Sequence, residues 1–316
     1  MLGIASNVER VNVLENAQVY RVGVDVAAEG IVKVYGSGKT ETVALRGLSM
    51  KVNAGEAVAI MGPSGCGKTT LLNIIGGIDR PTAGTVTTGE LVLNEANERE
   101  LEKHRLLTVG FVFQAFNLIP MLDAIENVKL PMVLAGMSGS EMEQRAKMLL
   151  ETVGLSGKFY NKPTELSMGE QQRVAIAAAL ANDPPILLAD EPTGDLDTRN
   201  ALLVTDLLVG LSHKHNKTVI IATHDPRVAV RTKRILRIED GVIAGEYTPL
   251  ELQQPGAHAS LSQLIRVRLD SMVEEYASLE RKLRSGQLST SEFNLRYNKV
   301  KDLERALKDL LAEIGG

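Results

Sequence analysis

The residues best suited to chemistry in this chain lie in GPSGCGKTT, Gly62 to Thr70. Gly62, Gly67, Lys68 and Thr69 fall at the spacing G-x-x-x-x-G-K-[ST] of a phosphate-cradling loop, the P-loop. Across Gly62, Pro63, Ser64, Gly65, Cys66 and Gly67 the glycines let successive backbone N–H groups converge on phosphate oxygens with no Cβ in the way. A helix starting there adds partial positive charge at the same point. Lys68 is expected to reach the β- and γ-phosphates and the Thr69 hydroxyl to ligate Mg2+, with Thr70 completing the nucleotide-binding stretch. Cys66 reads as a small residue in a tight turn and is given no chemistry of its own. A second group follows the apolar run of ILLADE, in the Walker B arrangement. Asp190 is placed to hold Mg2+, directly or through water, opposite Thr69. Glu191 is then positioned to accept a proton from the water that attacks the γ-phosphate.

These residues need strands and helices to bring them together. Ala57 to Met61 reads as a buried strand ahead of the loop, and Thr69 to Gly77 has the apolar density of a packed helix. Val109 to Phe113, Pro185 to Asp190 and Thr218 to His224 are short apolar runs ending in polar residues, as in strands buried in a parallel sheet. Helical patterns lie between them, which predicts an α/β domain. Ligands of such sheets gather beyond the carboxyl ends of the strands, where Gln114, Asp190, Glu191 and His224 all fall. Ahead of this domain, Ile31 to Val52 reads as strand, turn, strand with GSGKT at the tip, an antiparallel β subdomain. Asp79 to Gly84 and the polar stretch beginning TGELVLNEANERE read as turn and surface structure. Ile119 to Leu155 reads as an inserted helical subdomain broken at Pro120, Pro131 and Gly136 to Gly139, and RIEDGVIAGEY as a hairpin turning at Asp240 and Gly241.

The expected boundaries are an N-terminal extension without an assigned role over 1–27, the ATP-binding domain over 28–248, a linker over 249–260 and a C-terminal helical hairpin over 261–316. In the last, Ile265, Leu269, Met272, Tyr276, Leu279 and Leu283 form a heptad seam. Phe293, Tyr297, Val300, Leu303, Leu307, Leu310 and Ile314 continue it after the break at Gly286. Glu280 with Arg284 and Glu304 with Lys308 are helix-supporting pairs. The 316 residues carry a net charge of −4, which gives no electrostatic case for nucleic acid, and the tail's charges nearly balance. One cysteine excludes a disulfide framework and a cysteine zinc site, no apolar run approaches the ~20 residues of a transmembrane helix, and the N-terminus lacks a secretory pattern. A cytoplasmic location is the expectation.

LSMGE at Leu166 to Glu170 precedes the helix pattern QQRVAIAAALA, and Ser167 with Glu170 makes a capping box. Spacing alone reads this as a well-capped helix. LSMGEQQRVAIA also resembles the signature motif of ABC transporter nucleotide-binding subunits, and the remaining motifs follow that family's order from Ile31 to about Tyr247. The resemblance implies an ABC-type P-loop NTPase fold with ATP and Mg2+. It makes Tyr35 the adenine-stacking aromatic residue, Gln114 a Mg2+- and water-sensing glutamine facing the permease, Asp197 the acid that communicates across the dimer and His224 the γ-phosphate switch. It also gives Ser167, Gly169 and Glu170 as the signature that meets ATP bound to a second copy. Met168 departs from the usual glycine and would crowd that approach; Glu170, Ala178 and Asp195 also depart from the commonest residues.

VFQAFNLIPMLDAIENVKLPMVLAG and ADEPTGDLD are most similar to the lipoprotein-releasing and macrolide-export branch. The resemblance therefore implies a homodimer closed by ATP, driving a separate integral membrane permease in export or extraction, peripheral on the cytoplasmic face. The alternatives are a soluble ATPase of this type acting on DNA or ribosomes, or a regulatory switch that uses the C-terminal hairpin. A single cassette, a short hairpin and the absence of basic excess weigh against nucleic acid.

Overall fold

The computed structural model describes residues 21–36 and 41–252, with scattered positions between 269 and 308. Val26–Tyr35 (β1) and Thr42–Val52 (β2) pair antiparallel, from Val26 opposite Val52 to Tyr35 opposite Thr42. The expected hairpin is therefore present, with its tip residues 37–40 outside the described residues. β1 opens at Val26, ahead of the boundary read at 28, and register shifts near Gly30, where φ is 60°, bend it. Ala57–Met61 (β3) and Lys68–Ile75 (α1) flank the glycine-rich loop. The stretch after α1, read as turn and surface, instead contains two strands and a helix: Ala83–Thr88 (β4), Leu91–Val92 (β5) and Glu98–Lys103 (α2). β4 pairs with β1 in a four-stranded sheet of order β2-β1-β4-β5. Its threonines hid it, for Val86 and Thr88 face inward while Thr85 and Thr87 are half-buried, an alternation with one apolar side chain.

The second sheet holds β3 and, next in the chain, Val109–Val112 (β6). Three helices follow: Ala124–Leu134 (α3), Gly139–Thr152 (α4) and Met168–Ala179 (α5). The chain returns through Ile186–Asp190 (β7), Thr198–His215 (α6), Thr218–Thr223 (β8), Pro226–Ala229 (α7), Arg234–Glu239 (β9) and Val242–Tyr247 (β10). The sheet order is β10-β9-β3-β8-β7-β6, parallel except for the β9–β10 hairpin. The four buried strands read from sequence all lie in it. Because side chains alternate along a strand, one set faces each side. Val58, Ile60, Leu188 and Ile220 join a core with α1 and the antiparallel sheet, whereas Leu187, Ala189, Val219 and Ile221 join a core with the helices.

In the helical subdomain α3, α4 and α5 pack on one another. Asp123 with Glu126 forms a capping box at the start of α3. Pro131 does not break the helix as expected; it lies inside α3, its carbonyl accepting from the Ala135 N–H at 3.1 Å and the Asn182 amide at 2.9 Å. A proline in the last turn removes one donor, and α3 ends three residues on, at Leu134. Gly136 and Gly139, at φ 83° and 76°, make the turn into α4.

Arg21 to Asp25 run across the other end of the parallel strands. The Arg21 N–H donates to Asp183 Oδ2 (2.7 Å), the Gly23 N–H to the Asn216 carbonyl (2.7 Å), and the buried Lys217 Nζ to both Asp183 Oδ1 (2.6 Å) and the Arg21 carbonyl (2.9 Å). Residues 251–316 form a separate compact unit. There Met272, Leu279, Leu288 and Val300 are buried together, Tyr276 donates to Glu304 at 2.7 Å, and Lys308 pairs with Glu304 at 2.6 Å. Ile265, Gly286, Leu303, Leu307, Leu310, Ile314 and the Glu280–Arg284 pair lie outside the described residues.

Candidate active site

Parallel pairing places Met61 beside Thr223 and Asp190 beside Ala222, so Gly62, Glu191 and His224 emerge at one edge of the sheet. Two backbone bonds hold the emerging chains, from the Glu191 N–H to the Ala222 carbonyl (2.9 Å) and from the Gly62 N–H to the Thr223 carbonyl (3.4 Å). Gly62 has no room for a Cβ, which would collide with the Ile238 carbonyl. Gly67, at φ 107°, begins α1 with no side-chain cap and no acid in the first turn. The leading N–H groups of α1 thus face the loop without a side-chain acceptor, as an anion site requires. Lys68 is buried and folds back, donating to the Gly62 carbonyl at 2.9 Å and the Pro63 carbonyl at 3.0 Å. Pro63, Ser64, Gly65 and Thr69 are exposed, Thr70 half-buried and Cys66 buried; burial pushes the Cys66 thiol pKa up.

The acids and the histidine converge on Lys68. Lys68 Nζ lies 3.4 Å from Glu191 Oε1, and Glu191 Oε2 lies 3.0 Å from His224 Nδ1 while accepting from the His224 N–H at 3.3 Å. Glu191 has φ 46°, a left-handed conformation that non-glycine residues adopt rarely. Asp190 lies close to the Thr69 side chain. Burial raises the Asp190 pKa, with Glu191 adding to the rise and Thr69 and Lys68 opposing it. Its Oδ1 is buried without a hydrogen-bond partner among the described residues. A carboxylate with an orphaned oxygen, beside a hydroxyl and a phosphate loop, is an all-oxygen donor set that fits Mg2+.

Gln114 stands two residues past Val112, whose partner across the β6–β7 ladder is Ala189, and its amide passes close to Gly194. Beside it, a groove of about 470 Å3 runs between the end of β6 and α3, lined by Phe111, Phe113, Phe116, Leu118, Ile119 and Leu130. Tyr35 lies at the end of β1, half in solvent, its hydroxyl bonded to Asp79 Oδ2 at 2.7 Å. Asp197 caps α6, accepting from the Asn200 N–H at 2.9 Å and the Asn200 amide at 2.6 Å.

Ser167, Gly169 and Glu170 form a cluster of their own. Glu170 Oε2 accepts from the Ser167 N–H (2.8 Å) and hydroxyl (2.9 Å), and the Glu170 N–H returns to Ser167 Oγ (3.3 Å). The predicted capping box is thus complete, and it lowers the Glu170 pKa. Gly169 touches Asn200, a Cβ there meeting its side chain at 2.7 Å. Among the described residues no hydrogen bond joins these three to the phosphate loop. Met168, between Ser167 and Gly169 in the chain, is 56% exposed. Sequence reading missed Lys33 and Asp79, which hold Tyr35, Asn200, which links Gly169 to Asp197, and Gln172, whose amide reaches the Phe113 carbonyl at 3.5 Å. Asn200, three residues after Asp197, carried a readable capping signal; Lys33 and Asp79 carried none.

The ABC transporter family profile matches residues 45–194. An uncharacterized ABC transporter ATP-binding protein of Thermotoga maritima is 48% identical over 213 residues, 67% of this chain and 91% of that protein. The lipoprotein-releasing system ATP-binding protein LolD of Legionella pneumophila is 42% identical over 68% of this chain and 95% of its own. The macrolide export ATP-binding/permease protein MacB of Hyphomonas neptunium is 43% identical over 70% of this chain but 34% of its own. Among solved structures, the dimeric post-hydrolysis state of the ATP-binding cassette MJ0796 bound to ADP and Pi is similar at a TM-score of 0.67 and 45% identity, over 71% of this chain and 98% of that one.

Proposed function

Because the chain belongs to the ABC transporter family of ATP-binding proteins, we propose that two copies close head to tail around two ATP molecules and drive a separate membrane permease. The chain is the ATP-hydrolysing cassette of such a system. The observation that carries the dimer is the division of the site: the phosphate loop, Asp190, Glu191 and His224 share one strand edge, while Ser167 and Gly169 make no hydrogen bond to that loop among the described residues. In the dimer one copy's loop would face the other copy's Ser167 and Gly169, with Asp197 and Asn200 alongside. The dimeric form of the cassette MJ0796 supports this reading.

Within each site, Lys68 exchanges the Gly62 and Pro63 carbonyls for β- and γ-phosphate oxygens. Glu191 takes a proton from the attacking water, supported by its place between Lys68 and His224. With His224 Nδ1 turned to Glu191, Nε2 is the nitrogen left for the γ-phosphate. Thr69 and Asp190, with Gln114 nearby, would hold Mg2+, which neutralises charge on the phosphate oxygens. Closure draws on the higher affinity of ATP for the closed pair, and loss of the bridging phosphate reopens it.

The apolar groove beside Phe113 suits an apolar segment of the permease, with exposed Met121 and Leu134 nearby on the helical subdomain. No helix among the described residues is long and apolar enough to cross a membrane, so docking to a second chain at the cytoplasmic membrane face accounts best for transport. Similarity to LolD and MacB favours export or extraction as the direction. We read 1–27 as an extension anchored from Arg21, 28–248 as the cassette, 249–260 as a linker and 261–316 as a helical hairpin, the last supported by the Tyr276–Glu304 bond between its halves.

The direct test replaces Glu191 by glutamine. Turnover should fall about 100-fold or more while an ATP-dependent dimer accumulates in light scattering. Unchanged turnover in Glu191→Gln would overturn the assignment of Glu191 as base.

A further inference from the structure

Away from the strand-end acids, a polar cluster surrounds Tyr35. Its hydroxyl donates to Asp79 Oδ2 at 2.7 Å. The other Asp79 oxygen, Oδ1, accepts from Lys33 Nζ at 2.6 Å and from the Arg80 N–H at 2.7 Å. Lys33 Nζ also donates to the Arg80 carbonyl at 2.8 Å and stands 4.7 Å from the centre of the Tyr35 ring. Two segments therefore meet at one phenol: the end of β1 and the turn after α1.

Joining those segments does not require the phenol. Other bonds already do so, the Thr82 N–H donating to the Val32 carbonyl at 2.8 Å and the Val34 N–H to Thr82 Oγ1 at 3.0 Å. What the side-chain cluster adds is the orientation of an aromatic ring. Burial and then Asp79 raise the phenol pKa, so the group stays a donor. Burial would raise Asp79, but the bonds from Lys33, Tyr35 and Arg80 outweigh it and lower its pKa, so the acceptor stays charged.

We propose that Asp79 and Lys33 are positioning residues that fix the Tyr35 ring as the platform for the nucleotide base. This rests on reading Tyr35 as the base contact. Lys33 takes one face of the ring by cation–π attraction and leaves the other for the base. A ring held in place before binding loses no rotamer freedom on stacking.

The experiment measures KM and kcat for ATP, and the binding of inorganic tripolyphosphate, which has no base. Asp79→Ala should raise KM for ATP about three- to tenfold while kcat holds and tripolyphosphate affinity is unchanged. Asp79→Asn, which keeps an acceptor for the phenol, should give a smaller rise. In a Tyr35→Phe background, Asp79→Ala should add little, because the bond it would remove is already gone. If Tyr35→Ala raises KM but Asp79→Ala does not, the positioning role is overturned and the base contact stands. Should Asp79→Ala weaken tripolyphosphate as much as ATP, Asp79 acts on the phosphate loop and the proposal fails. An unchanged KM in Tyr35→Ala would remove the base contact itself.

Discussion

Glu191 illustrates how a single residue can be placed against its own preference. A left-handed φ of 46° at a glutamate costs roughly 1–2 kcal/mol, and it persists because the Ala222 carbonyl and the Gly194 N–H hold the peptide on both sides. The carboxylate is thereby turned onto Lys68 and His224. ILLADE predicted that an acid would stand at this strand end but not that its backbone would be strained, because the strain comes from neighbours in β8 and the following turn. A second residue carries a pH signature. His104 is buried, its Nε2 3.0 Å from the Ile75 carbonyl and its Nδ1 unpartnered among the described residues, and burial lowers its pKa below the ordinary 6.5. The folded protein keeps the ring neutral while the unfolded chain binds a proton near pH 6.5, so stability is full above that value and declines as pH falls below it. Urea midpoints at pH 7.5 and 5.5 should differ more in the wild type than in His104→Gln; equal differences would exclude His104 as the source. No motif marked His104, since its partner belongs to α1.

At the scale of elements, the strands that carry the site were legible because each is a short apolar run with a polar end. β4 and β5 were not: a threonine-rich strand of the antiparallel sheet looks like a surface loop when its longer partner, β1, lies far away in sequence. Pro131 misled in the opposite direction, for it stands inside α3 and the helix continues past it to Leu134. The start of α5 is the case in which local sequence was sufficient. Ser167 and Glu170 satisfy each other's N–H groups, and Lys158 lies 3.7 Å from the Glu170 carboxylate. Glu170→Ala removes one arm of this cap and should lower stability by about 1 kcal/mol, while Glu170→Gln, which retains an acceptor, should lose about half of that. Chemical denaturation of the two variants measures it. Equal losses would mean that charge, through Lys158, matters more than the cap. The contact between Gly169 and Asn200 could not be read this way, since it joins two helices that share no pattern.

For the molecule as a whole, the decisive feature is that the cassette has its own cores. Both hydrophobic clusters of the sheet domain are drawn from residues between Val26 and Ile238, and the cluster of Met272, Leu279, Leu288 and Val300 is separate. The relatives give the same division from another direction, for they match this chain over 67–71% of its length while 91–98% of the Thermotoga, LolD and MJ0796 chains is used. The proposed site residues from Tyr35 to His224 all fall within the cassette, so removal of residues 257–316 should leave ATP binding and turnover per site within about twofold, with the cassette still unfolding cooperatively. The same deletion separates two roles for the tail. Made in the Glu191→Gln background, it shows by light scattering whether the ATP-dependent dimer needs the tail. A dimer weakened tenfold or more would make the tail an oligomerising module, and an unchanged dimer would make it a docking element for another protein. Loss of turnover together with loss of cooperative unfolding would instead mean that the cassette depends on the tail to fold, against the independence of its two cores.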